Sequence, residues 1–285
     1  MRRKDHNRKY LKIMITLGIF GIILMITGCS KKASSQKATK KDQPQIKIGV
    51  DILKPFFYID RNGSYAGIDA DIAKEACKRA GYKPKFVEIP WSDRDSYLKQ
   101  KKVDCVWTAF IKDQREDQYL WTDSYMTSHL AVITDKHSPS KNLEEFKGPG
   151  GIAVRAGSVA EQFFLKQSKK INENLENVYS CGTFSQAYTA FVKGYADALA
   201  SHKIVLEYIM KENPEKCCYL NEDLMKVHLG VAFKRENSQE NEKNGSYQKI
   251  NQAIKEMKQD GTIAKIQKKY EVSRSEKSGG DENEE

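Results

Sequence analysis

The sequence has no CxxC pair and no cysteine–histidine grouping at metal-ligand spacing, which excludes the common kind of zinc site. It also has no glycine-rich phosphate loop and no recognisable nucleophile–base pair, so nothing in it reads as nucleotide or covalent chemistry. No stripe of Lys and Arg is interleaved with aromatics, the pattern a nucleic-acid surface requires. Its longest apolar run falls well short of the roughly 20 residues needed to span a bilayer as a helix. The expectation is therefore a protein without metal, cofactor, catalytic residues or nucleic-acid partner.

That apolar run is nevertheless informative. Met1 to Lys12 carries Arg2, Arg3, Lys4, Arg8, Lys9 and Lys12 against a single acid, Asp5. The run Ile13 to Ile26, interrupted only by Thr and Gly, follows it. A basic segment before a short apolar one is the pattern of a secretory signal. The run ends in Ile26-Thr27-Gly28-Cys29, which resembles the bacterial lipobox. Residues 1–28 then form a lipoprotein signal peptide, and Cys29 becomes the lipid attachment site, palmitate included. The alternative is an uncleaved N-terminal anchor. Either arrangement places the rest of the chain on the extracytoplasmic face of the cell membrane.

Residues 29–45 form a Lys-, Ser- and Gln-rich tether that cannot bury a core, and residues 273–285 read as a disordered acidic tail. The formal charge of +10, from 48 basic and 38 acidic residues, shrinks once residues 1–29 are removed. It becomes 42 against 37, an excess of +5 spread along the chain, which is a solvated surface. Apart from Cys29, five cysteines remain: Cys77, Cys105, Cys181, Cys217 and Cys218. An odd number in an exported chain cannot pair completely, and a bridge from Cys181 to Cys217 or Cys218 stays open.

From Ile46 onward, short apolar runs alternate with amphipathic segments. Ile46–Val50 alternates as a strand does, and Ile68–Ala80 has helical spacing with Gly81 placed as its cap. Lys85–Ile89, Val103–Thr108, Gly151–Arg155, Glu176–Ser180 and Ala196–Ala200 read as further strands. Asp93–Lys101, Ser158–Ser168, Phe184–Lys193 and His202–Lys211 read as the helices between them. Strands separated by helices predict right-handed crossovers and mostly parallel sheets, in two α/β units. Two closing helices, Ser246–Asp260 and Thr262–Tyr270, have no strand after them and must pack on something already built.

Several motifs stand in one order along residues 46–272. They are Gly49-Val50-Asp51 with Pro55-Phe56, Gly67-Ile68-Asp69-Ala70-Asp71, Trp91, Val103-Asp104-Cys105 and Arg115. Trp121-Thr122-Asp123-Ser124-Tyr125, Ala156-Gly157-Ser158, Gly194-Tyr195-Ala196-Asp197-Ala198, Leu229-Gly230-Val231-Ala232 and Asp260-Gly261-Thr262 follow. In this order they resemble the amino-acid-binding family of type II periplasmic binding proteins, bacterial solute-binding protein family 3. The resemblance implies an α/β fold of two lobes, with mostly parallel sheets flanked by helices and two hinge strands. Lobe 1 would be residues 46–128 and 230–272, and lobe 2 residues 129–229. The lobes would close over a ligand by hinge bending.

The resemblance also implies a site. Arg115 matches the arginine that forks onto a ligand carboxylate, a bidentate geometry Lys cannot copy; the alternative is a surface residue paired with Asp113, Glu116 or Asp117. Thr108 matches a hydroxyl contact and Phe110 a backbone contact, against plain strand-end packing for both. Trp91 matches an aromatic face over the ligand or its cation, against a core tryptophan. Ser158 stands three residues before Glu161, which is capping-box spacing, and also matches a carboxylate contact, with the Val159 N–H beside it. Leu53 stands where relatives carry an aromatic. His202 stands where the family places the acid that takes an α-ammonium, so either another acid serves or the ligand lacks that group. If His202 meets the ligand, affinity is expected to change near the usual histidine pKa of about 6.5.

The function read from this is a substrate-binding lipoprotein of an ABC importer, a monomer that hands a small polar carboxylate-bearing ligand, of amino-acid kind, to a membrane permease. A ligand-sensing receptor module and a small-molecule lyase on the same fold are the alternatives. Cys29→Ala is expected to release the protein from membranes or leave uncleaved precursor. Cell fractionation and intact mass check this, and unchanged mass with membrane retention refutes the lipobox.

Overall fold

A computed structural model describes residues 43–171, 175, 177–236 and 245–276. The signal segment, Cys29 and most of the tether lie outside the described residues, as do residues 277–285 of the tail.

Strand β1 (Gln45–Val50) buries Ile46, Ile48 and Val50 and exposes Lys47, as its alternation dictates. A small hairpin, β2 (Tyr58–Ile59) with β3 (Tyr65–Ala66), leads into α1 (Ile68–Ala80). Ile68, Ile72, Ala73, Ala76 and Cys77 form the buried stripe of α1, and Asp69 and Asp71 lie in its first turn, where the helix dipole favours acids. Gly81 ends it at φ 77°, its N–H capping the carbonyls of Cys77 and Lys78. Then come β4 (Lys83–Glu88), a 3-10 turn at Trp91–Asp93, α2 (Arg94–Lys99), β5 (Cys105–Val106) and β6 (Tyr119–Trp121).

The chain leaves this first sheet after Trp121 and enters the second at β7 (Met126–Asp135). It continues through β8 (Ile152–Arg155), α3 (Val159–Ile171), β9 (Val178–Cys181), α4 (Phe184–Val192), β10 (Ala198–His202), α5 (Lys203–Glu212) and β11 (Cys217–Leu229). It then returns to the first sheet with β12 (Ala232–Lys234). Helices α6 (Gly245–Gln259) and α7 (Thr262–Glu276) close the described chain.

The sheets run in the order β4-β1-β5-β12-β6 and β11-β7-β10-β8-β9. They are mixed rather than mostly parallel. The strands joined through helical crossovers, β1 with β4 and β5, and β8 with β9 and β10, are parallel. Strands β7 and β12 enter directly from the crossings with no helix before them, while β11 follows α5 and runs out into a crossing; all three pair antiparallel. The expected strand over 103–108 shortens to Cys105–Val106, because the backbone turns soon after into Ala109 at φ 41°.

The closing helices pack on α1, as their lack of a strand partner predicts. Ile250, Ile254 and Met257 of α6 are buried, and Tyr247 meets Phe233 edge-on. The Tyr270 hydroxyl of α7 accepts from the Gly67 N–H at 2.9 Å and donates to Asp71 at 2.9 Å. All five described cysteines are free thiols, so the bridge from Cys181 to Cys217 or Cys218 does not form. Cys77 and Cys105 are core residues, and burial pushes the Cys77 thiol up to about 12.

The two crossing segments are bonded to each other. The Thr122 N–H donates to the Val231 carbonyl and the Val231 N–H to the Thr122 hydroxyl, at 3.1 and 3.0 Å. The Tyr125 N–H reaches the Leu229 carbonyl at 3.0 Å. From α6, Asn251 accepts from the Asp123 N–H and Lys258 donates to the Ser124 carbonyl.

Gly67 fixes where α1 begins. At φ 122° it brings the helix start against the loop after β1, so that Ile68 and Asp69 donate to the carbonyls of Pro55 and Phe56 at 3.0 and 2.9 Å. A Cβ at residue 67 would lie 2.3 Å from the Phe56 oxygen. Gly67→Ala is expected to cost about 3 kcal/mol of stability, from left-handed backbone strain and the backbone clash together. Urea unfolding checks this, and an unchanged midpoint refutes it.

Candidate functional site

Between the sheets lies a small, partly closed cleft. Its walls come from the carboxyl ends of parallel strands, where α/β folds place ligands. The first sheet supplies Leu53, Trp91 and the segment 109–115, and the second supplies the end of β8, the start of α3 and the end of β10.

Arg115 lies on this wall and is 2% exposed. Its Nη2 donates to the Gly157 carbonyl at 2.7 Å across the cleft, and its own carbonyl accepts from Trp121 Nε1. It pairs with none of the neighbouring acids: Asp113 bonds His228, and Asp117 lies by Arg235 at 3.7 Å. That removes the surface alternative. Burial, with the repulsion of Arg94, lowers its pKa to about 10, so it stays charged at neutral pH.

Trp91 is buried on the same wall, and its Nε1 donates to the same Gly157 carbonyl at 3.1 Å. Its ring already carries the guanidinium groups of Arg155 and Arg94, at 4.3 and 4.7 Å, with Phe110 meeting it edge-on. The cation expected over this face is therefore the protein's own.

Arg155 escaped the sequence reading. It ends β8, lines the cleft, is 7% exposed, and pairs with Asp51 beyond β1 at 2.5 Å. Burial lowers its pKa while Asp51 opposes the shift. The available signal was an arginine closing the apolar run Ile152-Ala153-Val154, with an aspartate closing Ile48-Gly49-Val50.

Ser158 and Val159 line the cleft where α3 begins. The Ser158 hydroxyl accepts from the Glu161 N–H at 3.0 Å, while the Glu161 carboxylate reaches the Gly157 N–H, one residue before the usual capping-box partner. Thr108 and Phe110 are buried and lie off the wall. The Thr108 hydroxyl accepts from the Asp51 N–H and donates to the Trp107 carbonyl. The Phe110 carbonyl accepts from Gly230, and its ring packs among Trp91, Tyr119 and Trp121.

His202 lines the cleft at the end of β10, 4% exposed. Its Nδ1 lies 3.0 Å from the Ser128 hydroxyl, and its ring stands edge-on to Phe56 at 5.3 Å. Burial, helped by Arg155, depresses its pKa to about 3. The titration expected near 6.5 is thereby corrected: His202 is neutral throughout the physiological range. Ala109, beside it on the wall, donates its N–H to the fully buried Asp69 at 2.5 Å. The other Asp69 oxygen has no hydrogen-bond partner, and Tyr125 approaches it without closing one. Burial raises the Asp69 pKa to about 7.

Two α/β lobes joined by paired crossings, with a buried guanidinium in the cleft between them, define a two-lobed solute-binding protein. The chain belongs to the bacterial extracellular solute-binding proteins, family 3, whose model matches residues 46–273. It is 26% identical to the L-cystine-binding protein TcyA of Bacillus subtilis (strain 168), over 82% of this chain and 83% of that one. It is 28% identical to the histidine-binding periplasmic protein of Escherichia coli (strain K12), over 83% and 92% respectively. An ancestral arginine-binding protein bound to arginine superposes with a TM-score of 0.69 at 28% identity, covering 80% of this chain and 98% of that one. These relatives are binding proteins rather than enzymes by their names. Among the described residues no group of His, Cys, Asp and Glu is placed to hold a metal, and no helix is long and apolar enough to cross a membrane.

Asp69 and His202 pull stability in opposite directions with pH. Folded Asp69 keeps a proton that the unfolded chain releases near pH 4, so its contribution falls as pH rises from about 4 to about 7. Unfolded His202 takes up a proton near 6.5 that the folded chain refuses until about 3, so its contribution falls as pH drops through that window. Asp69→Asn is expected to gain on the wild type by roughly 4 kcal/mol between pH 4 and 7. Denaturant unfolding at several pH values measures the gap, and a constant gap refutes a proton held on Asp69.

Proposed function

We propose that this chain is the extracytoplasmic substrate-binding component of an ABC importer, held to the membrane through lipid on Cys29. It captures a small carboxylate-bearing ligand of amino-acid size by hinge closure, with Arg115 as the clamp, and passes it to a permease as a monomer. The division into lobes at residues 128/129 and 229/230 belongs to this reading.

One observation carries it. Arg115 is a charged guanidinium buried on the cleft wall, bonded to a carbonyl and paired with no carboxylate. A buried charge without a counterion is costly, and a ligand carboxylate arriving there offsets that cost with bidentate hydrogen bonds. The Gly157 carbonyl holds the guanidinium meanwhile, and Trp91, Ser158, Val159 and His202 surround the space beside it. In this reading Thr108 and Phe110 support the wall from behind, Thr108 by fixing the Asp51 backbone and Phe110 by packing against Trp91. The names of the relatives make amino acids and their close analogues the first compounds to screen.

Arg115→Ala is expected to weaken binding of whichever ligand the screen finds by about 2 kcal/mol or more, and Arg115→Lys to recover only part of it. Titration calorimetry on the full chain measures both. Near-wild-type affinity in Arg115→Ala refutes the clamp.

A further inference from the structure

Resting on the reading of the cleft as the ligand site, we infer that its ligand is a small organic anion with no ammonium group. In chemical class this is a 2-oxo or simple carboxylic acid rather than the zwitterionic amino acid of the same skeleton.

The charges on the cleft wall carry the inference. Arg115 and Arg155 line the cavity, and among the described residues no carboxylate does. The acids that come near are committed elsewhere. Asp51 is held by Arg155 at 2.5 Å, the Glu161 carboxylate by the Gly157 N–H at 2.6 Å, and Asp95 by the Tyr119 hydroxyl. Asp69 is fully buried behind Ala109. Asp51 neutralises Arg155, and no carboxylate on the described wall does the same for Arg115. A monoanion balances it. A zwitterion balances Arg115 and then brings a new buried cation.

That ammonium would find only neutral acceptors. His202, whose burial keeps it uncharged, and Ser201 beside it can accept hydrogen bonds but hold no negative charge. Of the two aromatic rings on the wall, Trp91 is already engaged by the guanidinium groups of Arg94 and Arg155, which leaves Phe184 for a further cation. The rest of the wall, from Leu53, Ile111, Leu130 and Phe184, is apolar and fits a hydrocarbon body. A desolvated ammonium in such surroundings meets no charged partner, only neutral acceptors and the Phe184 ring, and is penalised for it.

Matched pairs test this on the full wild-type chain in detergent, by thermal shift and calorimetry. The probes are L-leucine with 4-methyl-2-oxopentanoate, L-phenylalanine with phenylpyruvate, L-glutamate with 2-oxoglutarate, and L-arginine alone. The oxo acid is expected to bind at least tenfold more tightly than its amino acid in at least one pair, with no saturation by L-arginine. An amino acid equal to or tighter than its oxo acid in every pair, or saturation by micromolar L-arginine, overturns the inference. If that binding is lost in Arg115→Ala, the cleft reading itself survives. Silence from every probe overturns both. His202→Asp supplies an independent arm, since a carboxylate on the wall should shift the oxo-to-amino ratio at least tenfold toward the amino acid. A folded His202→Asp chain with an unchanged ratio also overturns the inference.

Discussion

The ion pair between Arg155 and Asp51 is the contact on which the cleft depends. One partner ends β8 in the second sheet and the other follows β1 in the first, so this 2.5 Å ion pair links the two halves of the molecule. Both side chains are largely shielded, which makes the pair costly to leave half-made: a partner lost from such a pair leaves a stranded charge worth several kcal/mol. The pair also sets the charge of the wall. It cancels one guanidinium and leaves Arg115 without a carboxylate partner on the described wall. Trp91 lies under the Arg155 guanidinium, and its Nε1 meets the Gly157 carbonyl that Arg115 also uses, so the same few groups align both lobes.

Much of the fold was legible because it rests on local rules. The buried stripe of Ile68–Ala80 and the cap at Gly81 give a helix with those bounds, and the alternation of Ile46, Ile48 and Val50 gives a strand. The mixed character of the sheets was not legible. Strand β11 carries Asn221, Glu222, Asp223 and Lys226 among its apolar residues, and its ladder with β7 is irregular around Asn221, which blurs the period of two. Its place beside β7 is decided by the chain crossing back between lobes, a long-range fact that no short window contains.

The site divides the same way. Arg115, Trp91, Ser158, Val159 and His202 line the same cleft, and the family resemblance had pointed to each of them; Thr108 and Phe110, which it also pointed to, lie off the lining. Arg155 was missed because a single arginine at the end of an apolar run carries no periodic signal. Its meaning lies in Asp51, 104 positions away. The state of His202 was equally invisible, since a pKa near 3 comes from burial and from a neighbour that only the fold brings close.

The two crossing segments behave as one strap rather than two tethers. Thr122 and Val231 exchange hydrogen bonds, and Tyr125 adds a third to Leu229, so neither segment can slide along the other without breaking the set. A two-ply ribbon of this kind bends across its face far more readily than within its plane. Shear of one crossing past the other is resisted by the same bonds. Asn251 and Lys258 of α6 grip the same strap at Asp123 and Ser124. A displacement of α6 therefore bears directly on the crossing, where the chain itself passes from one sheet to the other.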